Sequence, residues 1–200
     1  MKKVIIYGGG GHAETVLEYV RGPHLLGIVD SKLLIGTQVM HTEVIANDLD
    51  EIEWTDAYNC VGGIISMRSR RDAFRRLIDN GHVVSFTHPS AIVEPSSYLI
   101  SSVHLMAGCY IGSCASLGLN CIINTNAVVS HDCHIGQHTH ICPGAILAGN
   151  VTIGSECIIG MGVTIYAGVT IGNNIKIYNG THVFKDILAQ DQVPVPGRKN

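Results

Sequence analysis

Residues 121–141 read CIINTNAVVSHDCHIGQHTHI, and every sixth residue of that stretch is aliphatic: Ile123, Val129, Ile135 and Ile141. The spacing continues without a miss in both directions. It runs back through Leu117, Ile111, Leu105 and Leu99 to Val93, and forward through Leu147, Ile153, Ile159, Ile165, Ile171 and Ile177 to Val183. Two residues before each of these sixteen positions stands a small or β-branched side chain, from Ala91, Ser97 and Val103 to Val169, Ile175 and Thr181. Two columns a pair of residues apart require extended chain, whose side chains alternate between faces. Glycine or asparagine often follows the aliphatic residue, as in Ile111-Gly112, Ile135-Gly136 and Ile153-Gly154. Short strands of one length, broken by turns at one interval, describe a β-solenoid and not a sandwich with accidental spacing. Cys109, Cys121, Cys133 and Cys157 fall in the small column, where a thiol serves as a compact apolar group.

The 200-residue chain is 46% apolar and only 14% charged, with 23 glycines and a net charge of −3. That balance excludes intrinsic disorder, which needs the reverse. It also argues against a nucleic-acid partner, which would need clustered positive charge. No apolar run approaches the ~20 residues of a membrane helix, and Lys3-Val4-Ile5-Ile6-Tyr7 leads straight into a glycine turn, unlike a signal-peptide core. A cytoplasmic protein with no membrane partner is expected. Seven cysteines without a Cys-x-x-Cys pair speak against a disulfide framework and against a zinc site of the usual spacing. Between Ala91 and Val183 the only charged side chains are Glu94, Asp132, Glu156 and Lys176. This poverty of charge sets a boundary near Pro89: an α/β domain over residues 1–88, the solenoid over 89–186 and a tail over 187–200.

Val4-Ile5-Ile6-Tyr7 reads as a buried strand. Gly8-Gly9-Gly10-Gly11-His12-Ala13 and a helix from about Glu14 to Val20 follow it, a G-x-G-x-x-A form of the turn in which bare backbone and a helix N-terminus receive a diphosphate. A second strand, Leu25 to Val29, ends in Asp30, near the spacing of a ribose-binding acid; a plain turn former after a strand is the equal alternative. A third strand, Ala57 to Val61, leads to Gly62-Gly63, and Ser66 caps a helix over Met67 to Asn80 that Gly81 closes. Half a Rossmann domain with a parallel sheet suits a mononucleotide better than a dinucleotide. Arg68, Arg70, Arg71, Arg75 and Arg76 crowd the second helix, most of them as a solvated face.

Taken together, Gly10-Gly11-His12 after a first strand, Asn124-Thr125-Asn126 through His131-Asp132-Cys133-His134, and His140-Ile141-Cys142-Pro143-Gly144-Ala145 resemble the sugar acetyltransferases of the sialic-acid O-acetyltransferase and bacillosamine N-acetyltransferase type. The resemblance covers essentially the whole chain, and its most specific element is the His-Asp pair nine residues before His140. It implies a left-handed parallel β-helix with three hexapeptides to a coil, acetyl-CoA as co-substrate, and a homotrimer with active sites between neighbouring β-helices. By the same resemblance His131 is the general base and Asp132 its acidic partner, where some members carry Glu. His140 lies beside the acetyl group, the Gly149 backbone meets the thioester carbonyl, and Met161 and Asn179 border the pantetheine. Gly8, Gly10, Gly11, His12 and Asp30 hold a nucleotide sugar. Only part of the family's C-terminal motif is present in Val193-Pro194-Val195-Pro196-Gly197-Arg198-Lys199.

The chemistry suits these roles. An amine or hydroxyl attacking a thioester must lose a proton, and imidazoles as a class titrate near working pH. An adjacent carboxylate fixes the tautomer, and a backbone N–H stabilises the oxyanion. A zinc carbonic anhydrase on the same fold is the competing reading, since His104 and His140 have the two-coil offset of two ligands; Ala145 stands where the third would be, so no metal is expected. A non-catalytic nucleotide-sugar-binding trimer would lack the His131-Asp132 pair. The expected substrate is the amino group at C4 of a nucleotide-linked sugar, with O-acetylation of a sialic-acid type of sugar as the alternative. His134, His138 and His182 are expected as exposed or interface side chains.

Overall fold

The computed structural model describes residues 3–53, 56–60, 67–79, 81–190 and 193. The chain divides into two compact units, Met1–Phe86 and Thr87–Asn200. In the first, strands β1 (Val4–Tyr7), β2 (Leu25–Val29), β3 (Gln38–Val39), β4 (Thr42–Ala46) and β5 (Asp56–Asn59) form a sheet in the order β3-β4-β2-β1-β5. Its pairs are parallel except the β3–β4 arm. Ile5, Ile6, Ile28, Val29, Val44 and Ala57 build its core; burying each large side chain contributes roughly 1.5–3 kcal/mol. Two-residue β3 and a 3-10 turn at Leu49–Glu51 are too short to be expected from sequence, and the consecutive Val44-Ile45-Ala46 blurs the apolar alternation of β4.

Helix α1 (Gly11–Leu17) starts three residues before the expected Glu14, because the Gly10 carbonyl already accepts the N–H groups of Ala13 (2.7 Å) and Glu14 (3.2 Å). Helix α2 (Met67–Ile78) buries Met67, Ala73, Phe74 and Leu77. Arg70 lies on that same face and is fully buried, its guanidinium donating to the Asn59 carbonyl while Asn59 Nδ2 donates to the Arg70 carbonyl at 3.1 Å. The solvated reading of the arginines therefore does not hold for Arg70. Val61, Gly62, Gly63, Ser66, Asn80 and residues 194–199 lie outside the described residues.

From Thr87 the chain winds into a left-handed parallel β-helix. Each aliphatic residue closes a two-residue strand, and strands eighteen residues apart pair in parallel. The first face carries Val93, Ile111, Val129, Leu147, Ile165 and Val183; the second Leu99, Leu117, Ile135, Ile153 and Ile171; the third Leu105, Ile123, Ile141, Ile159 and Ile177. A further strand at Phe86–Thr87 precedes these on the third face, with Thr87 in the aliphatic register and Ser85 in the small one. Both columns point inward and are buried along nearly the whole helix.

Every sixth residue from Ser102 to Gly180 has a positive φ, between 55° and 74°. Glycine is unstrained there and Asn or Asp tolerates it, whereas other side chains cost roughly 1 kcal/mol. Asn120, Asn126, Asp132, Asn150 and Asn174 thus stand where the turn demands them. Among the described residues no helix is long and apolar enough to cross a membrane.

All seven thiols are free and only Cys114 is exposed. Burial pushes the thiols of Cys60 and Cys142 up to about 12 and those of Cys109 and Cys157 up to about 11. Thiolate is the reacting form, so native protein treated with iodoacetamide should gain one adduct per chain, on Cys114, by mass spectrometry. Rapid labelling of a second cysteine would contradict this packing.

Candidate active site

His131 and Asp132 follow Val129 in the corner between the first and second faces. The Asp132 N–H donates to the Ser113 carbonyl one coil earlier (2.9 Å), and the His131 carbonyl accepts from Asn150 one coil later (3.0 Å). With its backbone at φ 57°, Asp132 turns its carboxylate back onto its neighbour, and His131 Nδ1 meets Asp132 Oδ2 at 2.8 Å. The shorter acid therefore reaches the imidazole directly. The side chains are 66% and 51% exposed, and so exposed a pair contributes at most about 1 kcal/mol to stability. Its consequence is chemical: a carboxylate accepting from Nδ1 leaves the lone pair on Nε2.

That edge of the ring lies over Gly149, which occupies the same corner one coil on. A methyl group on Gly149 would sit 2.5 Å from both Cε1 and Nε2 of His131. At the matching place in other turns the backbone N–H is taken by an asparagine one coil later: Ser155 by Asn173 Oδ1 at 2.7 Å, and Met161 by Asn179 Oδ1 at 2.9 Å. One coil after Gly149 stands Ala167, whose methyl offers no acceptor. The corner thus combines a carboxylate-held imidazole, its outward lone pair and a backbone donor.

Met161, 47% exposed, and Asn179 lie in a different corner, between the third and first faces. His140 lies in the third face, fully buried, with Nε2 3.0 Å from Asn124 Nδ2. In the single chain it offers no open surface for the direct acetyl contact that the resemblance implies. One chain therefore brings together His131, Asp132 and Gly149 in one corner of the triangular coil and Met161 and Asn179 in another, with His140 inside the third face. His104 and His140 flank Ile122 in the third-face ladder. Exposed His134 and His182 accompany Ser116 and Thr164 at 2.7 Å. His138, expected at the surface, is buried with its Nδ1 2.9 Å from Asn120 Nδ2.

In the first unit, Gly8 to Gly11 leave the carboxyl end of β1, the strand with β2 on one side and β5 on the other. Ligands of open α/β sheets bind at such a switch point. Gly8 has φ 95° and donates to the Val29 carbonyl at 2.9 Å. Nothing lies within 4 Å of where a Gly10 side chain would be. Gly11 and half-buried His12 open α1. Asp30 Oδ2 accepts from Gly9 N–H at 2.8 Å, and Oδ1 from Lys32 (2.8 Å) and Leu33 (3.2 Å). Asp30 is thus a turn former that also fastens the glycine loop. Asn47, which sequence reasoning missed, clamps the same turn by donating to the carbonyls of Asp30 (2.7 Å) and Leu33 (2.6 Å); its signal was an Asn directly after a strand next to β2. Among the arginines of α2, Arg76 is tied to Asp48 at 2.5 Å and Arg71 to Asp72 at 3.1 Å.

A hexapeptide coil with this histidine, carboxylate and backbone donor at its corner defines an acyltransferase of the hexapeptide class. Residues 3–77 match the PglD N-terminal domain family and residues 150–185 the bacterial transferase hexapeptide family. A variant of GDP-perosamine N-acetyltransferase from Caulobacter crescentus, solved with CoA and GDP-perosamine, is 35% identical over 95% of this chain and 92% of that one, with a TM-score of 0.85. The acetyltransferase domain of PglB from Neisseria gonorrhoeae, solved with acetyl-CoA, is 30% identical over 94% of each chain, with a TM-score of 0.84. WeeI from Acinetobacter baumannii, 19% identical over 94% of each chain with a TM-score of 0.84, shares the fold. No curated protein matches the sequence. The chain belongs to the sugar acetyltransferases of the sialic-acid O-acetyltransferase and bacillosamine N-acetyltransferase type.

Proposed function

We propose that the protein transfers the acetyl group of acetyl-CoA to the amino group of a nucleotide-linked 4-amino sugar. The observation that carries this is the 2.8 Å contact of His131 Nδ1 with Asp132 Oδ2, which leaves Nε2 as the base beside the Gly149 backbone. The amine nitrogen attacks the thioester carbon as Nε2 takes its proton. The Gly149 N–H donates to the oxyanion, collapse of the tetrahedral species breaks the C–S bond, and the CoA thiolate leaves and is protonated. Asp132 stabilises the imidazolium and keeps its own charge. No covalent acyl-enzyme is needed.

The binding assignments follow the same reading. Met161 and Asn179 border the pantetheine, and buried His140 backs that wall. Gly8, Gly10, Gly11, His12 and Asp30 receive the nucleotide sugar. A homotrimer is supported by the separation of the two groups of site residues in different corners of the coil: a neighbouring copy can set its third-face corner against His131. Exposed Ile92 and Ile146 (58% and 47%) on the first face add apolar surface that such a contact would cover. The relatives solved with GDP-perosamine and with CoA or acetyl-CoA favour N-acetylation.

A panel of UDP-, dTDP- and GDP-linked 4-amino sugars with acetyl-CoA, read by thiol release and product mass, tests the proposal. Acetylation of one of them at nitrogen is expected. Inactivity on all, with turnover of free sialic acid, would replace this reading by O-acetylation.

Asp30 gives a second test. Asp30→Ala strips three backbone N–H groups of their acceptor and should lower stability by about 2 kcal/mol. It should also weaken nucleotide-sugar binding in calorimetry. A lower melting temperature with unchanged affinity would leave Asp30 a turn former alone.

A further inference from the structure

Asn124 opens the turn after the third-face strand Ile122–Ile123, one coil below His140. Its Oδ1 accepts the backbone N–H of Thr125 at 2.7 Å and lies 3.4 Å from the Thr125 hydroxyl. A backbone N–H can only donate, so the atom facing it is the carbonyl oxygen of the amide, and the other end is the NH₂ group. Turned over, the amide would set two donors against each other. The NH₂ group therefore faces His140 Nε2, at 3.0 Å. It has no lone pair to offer, so Nε2 must be the acceptor.

We infer that Asn124 holds His140 as the neutral tautomer with its proton on Nδ1, and that Asn124 is a positioning residue of the acyl-transfer site. An imidazolium, or the opposite tautomer, would place an N–H of fully buried His140 against the N–H groups of half-buried Asn124. The two histidines nine residues apart thereby have opposite offices. His131 gives Nδ1–H to a carboxylate and keeps Nε2 as an outward lone pair; His140 has that lone pair occupied by Asn124 and can act only as a donor, through Nδ1. His140 is then no second base. Whatever Nδ1 meets inside the coil must be an acceptor, and the ring orientation fixed in this way shapes the wall that His140 backs. This functional part rests on the proposed acetyl transfer; the tautomer itself does not.

The test is nitrogen NMR of protein labelled with ¹⁵N-histidine, the His140 signals being assigned by their loss in His140→Gln. The expected spectrum shows His140 protonated at Nδ1 and bare at Nε2. Asn124→Asp keeps the acceptor for Thr125, and so the turn, but replaces the donor facing His140 by an acceptor. It should bring a proton onto Nε2 and lower kcat about tenfold or more, with the melting temperature nearly unchanged. A wild-type Nε2 that carries the proton overturns the inference. So does an Asn124→Asp variant whose His140 signals and kcat match wild type, since Asn124 would then be a turn cap only. The NMR measurement needs no substrate, so a protein inactive on every amino sugar would refute the acetyl-transfer reading while the tautomer stood.

Discussion

His131→Ala lowers acetyl transfer about 10²- to 10⁴-fold, the usual contribution of a positioned proton acceptor. The loss should fall on kcat, because the imidazole is assigned to the reacting amine and not to either substrate's anchoring. Calorimetric affinities for CoA and for the nucleotide sugar should stay within a factor of two or so. Stability should hardly change, since the exposed His131–Asp132 pair contributes at most about 1 kcal/mol. A variant retaining more than about a fifth of wild-type kcat would remove His131 from the role of base. A variant that lost CoA binding as well would mark the ring as part of the binding wall.

Gly149→Ala produces the second large effect from the smallest possible change. The added methyl would lie 2.5 Å from Cε1 and Nε2 of His131, well inside contact distance, so the ring must swing away. A displacement of about 1 Å at a reacting group costs about 10²-fold in rate, and a loss of that order in kcat is expected. Stability should move the other way or stay level. Gly149 does not occupy the left-handed region, and replacing such a glycine by alanine restricts the unfolded chain, a gain of about 0.4–1 kcal/mol. The exposed ring has room to turn. Stopped-assay rates and thermal melts measured side by side check this: near-normal kcat would show that His131 does not work from its place over Gly149.

The coil was open to reading in the sequence because its physics is periodic. Two columns must be apolar or small to fill a narrow interior, and a third place, every sixth residue from Ser102 to Gly180, must accept a left-handed backbone. Each demand repeats often enough to rise above chance. The strand at Phe86–Thr87 escaped because Thr87 is not aliphatic, although Ser85 keeps the small column. The first unit offered less. Its β2 was bounded correctly by the apolar run before Asp30, but β3 is only two residues long, and the adjacent Val44-Ile45-Ala46 blurs the apolar alternation of β4. Arg70 could have been placed: Met67, Arg70, Phe74 and Leu77 share a helical face, and an arginine on an apolar face is a buried one. His138 was not recoverable, since a positive-φ corner is normally an exposed place and only the coil below, through Asn120, shows where it points. At the site, the motif gave His131 and Asp132, whereas the place of His131 over Gly149 is a matter of stacking that no linear spacing displays without the coil.

The three-sided coil also sets a rule for length. His131 and Gly149 stand eighteen residues apart and share a corner only because that interval is one full circuit. Inserting six residues between them would preserve every interior contact pattern, strand and turn alike, yet would carry Gly149 and all that follows one side further round, leaving the imidazole with a different neighbour. Inserting eighteen would restore the corner but raise Gly149 by one storey, out of reach of the ring. The stretch between them tolerates neither, while beyond Asn179 whole circuits can be added without disturbing the pair. Such a chain can grow taller at its far end but cannot be re-threaded through its middle.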